Sequence, residues 1–301
     1  MVNSPFVKVD VLCVGHACYD LVFSVAQHPK SDEKIFADDL ISCGGGPTAN
    51  AAIAVSRLGL TSAFAGYLGQ DLYGQMHLQE FVGHHIDTHL IVRGSSPTPL
   101  STVLVKPNGE RALINYKGAT KPLLANALDF SSIQAKTILL DGHEPHISLA
   151  LVELANQQGI PTVLDAGSMH EGTSQLWDKV DYLVASEKFA LQFSDNVQTA
   201  LSVMAEKSPS VVITLGEKGL IWQRGQQTGS VDALPVKAID TTGAGDAFHG
   251  AFAAAVASDM DWSDILKYST AAGALCCTKI GARQGLPWKK EHSELTKNSV
   301  F

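Results

Sequence analysis

Asp240 to Phe252, read DTTGAGDAFHGAF, is the stretch of this 301-residue chain richest in residues that could do chemistry. Gly243 and Gly245 remove side chains where a loop turns into a helix, so the N–H groups of Ala244, Gly245 and Asp246 can converge on an anion at the helix's positive end. Asp246 falls in the first turn of that helix, close enough to take a proton from a hydroxyl attacking the anion. A capped helix in a glycine-rich loop would also place an aspartate there. Phe248 and Phe252, four apart, anchor the helix, and Gly250 permits close contact with a neighbour.

The elements that must hold this loop follow from hydrophobic period and turn residues. Residues 9–15 (VDVLCVG) read as a buried strand with Asp20 at its mouth. Shorter strands are expected at 21–26 and 34–41, then Gly44-Gly45-Gly46, then a helix begun by Pro47 and running from Ala49 to Leu58. Strands 100–106 and 111–116 flank Asn108-Gly109, a hairpin signal. Beyond them strands (137–141, 162–165, 182–185, 211–215) alternate with helices (147–158, 197–206), which predicts a mostly parallel α/β sheet covered on both faces. Asp141, Asp165, Ser186 and Thr214 stand at strand ends, where such sheets bind ligands; turn formation and helix capping would account for each alone.

Composition narrows the partners. With 22 basic and 30 acidic residues the net charge is −8, and there is no run of like charges, so no nucleic acid or membrane surface is expected as a partner. Five cysteines without a CxxC pair point to reduced thiols in a cytoplasm, with neither signal peptide nor membrane span in view. The first strand is not followed by GxGxxG, no Walker A motif occurs, and there is no GxSxG elbow, which removes the main support for a dehydrogenase, a P-loop enzyme or a serine hydrolase. His84, His85 and His89 read as an exposed helix end, and neither Cys276 nor Cys277 as a nucleophile.

The thirteen residues from Asp240 resemble the second signature of the PfkB carbohydrate kinase family, also called the ribokinase family. Gly44 to Ala52 (GGGPTANAA), Arg57-Leu58-Gly59 and Gly66 to Gly74 are similar to its first, sugar-side signature. The resemblance covers nearly the whole chain. It implies a ribokinase-like three-layer α/β sandwich, a single domain over 1–301, with a small β lid inserted from about 21–41 and 100–116. Gly243, Ala244, Gly245 and Asp246 would form the catalytic loop, with Asp246 as general base. Asp20, Gly45, Gly46 and Asn50 would contact sugar hydroxyls. His143 is a substrate-contact candidate by its place beyond a strand end, where helix-start polarity would also account for it. Ser186, Thr214, Gly216, Gly219, Gly245 and Cys277 would line the ATP site. Mg²⁺ would arrive with ATP, and backbone near Asp240 and Thr242 would help hold K⁺. The family's Asn-x-x-Glu motif reads Ser186-Glu187-Lys188-Phe189 here, so Glu187 stands in as the magnesium-side carboxylate. That variant is similar to the subgroup containing ketohexokinase and sulfofructose kinase. The implied activity is ATP-dependent phosphorylation of a primary hydroxyl on a small sugar, a ketohexose or related, by a homodimer joined through its lids. The alternatives are a nucleoside kinase of the same family and a non-catalytic sugar- or nucleotide-binding regulator.

Overall fold

Period-two alternation explains the large sheet in this computed structural model, which describes residues 7–298. In strand β1 (Val7–Val14), Val11 and Cys13 face one helical layer while Leu12 and Val14 face the other. The same split divides Leu139 from Ile138 and Leu140, and Val184 from Leu183 and Ala185.

Along the chain β1 is followed by β2 (Cys18–Ser24), β3 (Asp39–Gly45), α1 (Pro47–Arg57), β4 (Ser62–Gly69), α2 (Leu72–Gly83) and β5 (Ile91–Gly94). Next come β6 (Leu100–Val105), β7 (Arg111–Tyr116), β8 (Ile133–Leu140), α3 (Pro145–Gln158), β9 (Thr162–Ala166), α4 (Glu171–Leu176) and β10 (Tyr182–Ser186). The last third holds α5 (Glu187–Ala190), α6 (Val197–Ala205), β11 (Ser210–Thr214), β12 (Leu220–Arg224) and β13 (Gln227–Val231). It ends with α7 (Ala244–Ala257), α8 (Trp262–Cys276), α9 (Ala282–Gly285) and α10 (Lys289–Asn298). The large sheet has nine strands in the order β13-β12-β11-β10-β9-β8-β1-β4-β5, parallel except for the antiparallel β11-β12-β13 meander. A second sheet, β3-β2-β6-β7, stands apart from it and forms the lid.

The hairpin of β6 and β7 lies where Asn108-Gly109 predicts it, with Val105 paired to Arg111. The first two lid strands are displaced from expectation. β2 starts at Cys18, not Leu21, and β3 occupies 39–45 where 34–41 was expected. The ladder runs from Ser24 against Asp39 to Cys18 against Gly45, so the glycine run is itself strand. Residues 34–38 belong to the connection, where Phe36 is 87% exposed. Pairing to Cys18 and Tyr19 supplies the hydrogen bonds that decide the matter, and they leave no trace in local composition.

Helix α7 is buried almost all round because alanines and two phenylalanines face both neighbours, α1 and α8. A Cβ on Gly250 would meet Ala51 O at 2.7 Å, which accounts for the close α1–α7 crossing. Among the described residues no helix is long and apolar enough to cross a membrane.

Candidate active site

The sugar-side signature and the DTTGAGD loop meet at one hydrogen bond. Pro47 opens α1 directly after Gly46, which sets Asn50 in the first turn, and Asn50 Nδ2 donates to Asp246 Oδ2 at 2.6 Å. The other end of that amide, Asn50 Oδ1, is buried without a protein donor. Asp246 keeps some exposure to the cleft. Burial, and after it the charge of Asp165, pushes its carboxyl up to about 7, while Asn50 and His249 pull the other way. A carboxyl titrating there is a proton acceptor matched to neutral pH.

Asp20 projects from β2 beside this pair, and burial raises its carboxyl above the usual range. Cys18 Sγ donates to its Oδ1 at 3.2 Å. A Cβ on Gly45 would collide with the Asp20 carboxylate, so the glycine leaves that side chain its place. Asp20, Gly45, Asn50 and Asp246 therefore form one polar wall, with Gly46 as the N-cap of α1.

His143 lies further out. Its ring stacks on His170 at 4.3 Å and lies 5.2 Å from the ring of His16. The underlying Asp141 accepts from His16 N, His143 N and Thr48 Oγ1, so it braces the wall from behind. Burial and the neighbouring His143 push the His16 imidazole down to about 4.

The opposite wall is backbone and small side chains. Gly243 caps α7 at φ 80°, and a Cβ there would meet Ala282 Cβ at 2.5 Å, so glycine satisfies both conformation and space. Of the three N–H groups expected to converge, that of Ala244 donates to Thr241 O at 3.3 Å. Those of Gly245 and Asp246 have no acceptor among the described residues and stay free for an anion. Beside them opens a cavity of about 510 Å³ lined by Thr214, Gly216, Gly219, Gly245 and Cys277, five residues expected there from sequence. Its remaining lining includes the 233–236 segment and Gly273, for which no motif gave a signal, and Phe248, which the motif places only as a helix anchor.

Ser186 is not among those lining residues. Its hydroxyl accepts from Phe189 N at 3.0 Å and donates to Gly167 O at 2.8 Å, so it caps α5. Glu187 is half-buried at the first position of that helix. Asp240 and Thr242 brace their own loop. Asp240 Oδ1 accepts from Thr242 N and Oγ1, and Oδ2 accepts from Gly281 N at 2.8 Å. Among the described residues no three His, Cys, Asp or Glu side chains are arranged to hold a metal ion. The side chains thus do not fit a dedicated metal cage, and a cation here would rely on backbone carbonyls and on its ligand's own oxygens.

Two arginines make contacts that no motif assigns. Arg111, on lid strand β7, donates to Thr242 Oγ1 and so ties the lid to the DTTGAGD loop. Arg283, 3% exposed, donates from Nε to Gly44 O at 2.9 Å and pairs with Glu80 at 3.1 Å. It clamps the glycine run of the polar wall from a segment 239 residues away. Such a partner is invisible to local pattern.

Comparison with known proteins finds relatives that match nearly the whole chain. A probable fructokinase-4 of Arabidopsis thaliana is 30% identical, covering 96% of this chain and 97% of its own. The crystal structure of a putative ribokinase from Agrobacterium tumefaciens superposes with a TM-score of 0.87 at 29% identity, covering 96% of this chain and 98% of its own. Arabidopsis thaliana ribokinase, solved complexed with ribose and ATP, gives 0.84 at 24% identity over 97% of this chain and 100% of its own. The model of the pfkB family carbohydrate kinases matches residues 8–289, so the chain belongs to that family of sugar phosphotransferases, which act on alcohol groups.

Proposed function

We propose that the protein transfers the γ-phosphoryl group of ATP to a primary hydroxyl of a small sugar, a ketohexose or a close relative, with Asp246 as general base. The observation that carries this reading is the 2.6 Å bond from Asn50 to Asp246, which joins the polar wall to the backbone cradle at one point. The sugar would lie against Asp20, Gly45, Gly46 and Asn50, with His143 at the rim. A carboxylate accepts from vicinal hydroxyls, and the unpartnered Asn50 Oδ1 accepts one more. The primary hydroxyl gives its proton to Asp246 as its oxygen bonds the γ-phosphorus. The bond from that phosphorus to the β–γ bridging oxygen breaks, and ADP keeps the oxygen. The free N–H groups of Gly245 and Asp246, with Gly243 and Ala244 shaping the turn, meet the charge on the transferring group.

Adenosine would occupy the cavity beside Thr214, Gly216, Gly219 and Cys277, with Ser186 beyond its edge. Mg²⁺ arriving with ATP would supply charge neutralisation on its phosphates, and Glu187 is the carboxylate that would help hold it. The Ser186-Glu187 variant supports the ketohexose preference. Leu113, Ile114 and Tyr116 on the lid, each more than half exposed, support pairing of two lids in a homodimer. Five free cysteines suit a reducing cytoplasm.

The test is ADP release from ATP and Mg²⁺ over a panel of sugars and nucleosides, ranked by kcat/KM. A ketohexose should lead, and Asp246→Asn should fall below about one-hundredth of the wild-type rate. A nucleoside at the head of the ranking would move the assignment to a nucleoside kinase. Binding without ADP release would make the protein a regulator.

A further inference from the structure

Directly behind the reacting face lie two buried titratable side chains that the reaction as derived does not use: Asp165 near the end of β9 and His249 in the second turn of α7. Their exposures are 7% and 4%. His249 Nδ1 lies 2.6 Å from Gly245 O and 3.2 Å from Asp165 Oδ2, and Nε2 lies 3.2 Å from Val184 O. Every neighbour of the two ring nitrogens is an acceptor. A neutral imidazole has one N–H and one lone pair, so it must aim a lone pair at an oxygen on one side or the other. Moving a proton to Asp165 does not remove the conflict, because the Nδ1 lone pair would still face Gly245 O. Only an imidazolium gives each ring nitrogen a proton to donate, Nδ1–H to Gly245 O and Nε2–H to Val184 O, with the Asp165 carboxylate beside it as counter-ion. Burial acts against each charge alone, lowering the imidazole and raising Asp165 to about 8, but opposite charges at 3.2 Å offset that cost.

We infer that His249 is an imidazolium held by Asp165, and that the pair is a positioning device for phosphoryl transfer, acting through the Gly245–Asp246 peptide and through the charge felt by Asp246. The carbonyl that Nδ1 grips belongs to the peptide whose N–H is that of Asp246, one of the two free cradle donors. Donation to that carbonyl polarises the peptide and strengthens its N–H toward an anion. The groups facing Asp246 are Asp165 from β9, His249 from its own helix, Asn50 from α1 and Asp20 from β2. Asp165 itself faces Asp141 from β8. With His249 charged, the negative field of Asp165 on Asp246 is balanced. Without it, two carboxylates share a buried site and the base takes its proton at higher pH.

The inference rests on Asp246 being the base, and two measurements separate the claims. Imidazole ¹⁵N NMR of the full-length protein, with His249 assigned through its backbone neighbours, should show both ring nitrogens protonated from about pH 6 to 8. A neutral tautomer for His249 in that range would overturn the inference whatever the enzyme phosphorylates. In the pH dependence of kcat, His249→Gln should move the acid limb up by about one unit, and adding Asp165→Asn should return it to within about 0.3 unit of wild type. A purely structural role predicts the reverse pattern, with no displacement of the limb in the single variant and a further loss in the double one, and that result would also overturn it.

Discussion

The two walls of the cleft are built from different materials. The wall formed by Asp20, Asn50 and Asp246 works through side chains, each fixed by a partner: Cys18 on Asp20, Asn50 on Asp246, Asp141 and Arg283 behind the backbone that carries them. The wall facing the 510 Å³ cavity works through the free N–H groups of Gly245 and Asp246 and through glycines and apolar side chains. The first wall therefore depends on which side chain is present, and the second on where the backbone lies. Substitutions on the two sides should fail in different ways.

The largest effect should come from moving backbone. Gly243→Val forces a branched residue to φ 80° and into Ala282, displacing the cradle. Losing one such donor costs about 10²–10³ in kcat, and a drop in Tm should accompany it because the strain is paid in the folded state. Retention of wild-type kcat would show that the cradle is not what holds the transferring group. Next comes Asp20→Asn. Hydrogen bonds to a charged group are worth about 1.5–3 kcal/mol, so the sugar KM should rise roughly tenfold to a hundredfold with the ATP KM unchanged. Equal changes in both constants would break the division between the walls. Smallest is Thr214→Val, where shape is kept and only a hydroxyl that donates to Ala185 O at 3.3 Å is lost. The ATP KM should change by less than about threefold, consistent with one weak hydrogen bond.

The same contrast governs what was legible in the sequence. Asp246, Asn50 and Asp20 are readable because each carries its chemistry in its own side chain, and the Asn108-Gly109 turn because its rule is local. The cavity lining at 233–236 has no pattern, since apolar walls are defined by position alone. Arg283 acts on Gly44 across the chain, and the register that pulls β3 toward Gly45 comes from pairing with β2. The convergence of three N–H groups was legible only in part, because the Ala244 donor bends back to Thr241. Ser186 follows the rule that competes with ligand binding, a serine hydroxyl closing its own helix terminus.

Asp246 also links activity and stability with opposite signs. Its carboxyl rises from 3.8 in the unfolded chain to about 7 in the fold, so the folded state binds the proton more tightly. That stability is present below the unfolded value, is lost as pH climbs between the two, and is absent above about 7. The carboxylate that the proposed reaction needs accumulates as pH passes about 7. The most direct test is the pH profile of kcat/KM for ADP formation by the wild-type enzyme. An Asp246 held between the two walls gives an acid limb with an apparent pKa of about 7 and a plateau above it. Activity that stays level down to the ordinary carboxylate range, about pH 4, would contradict it.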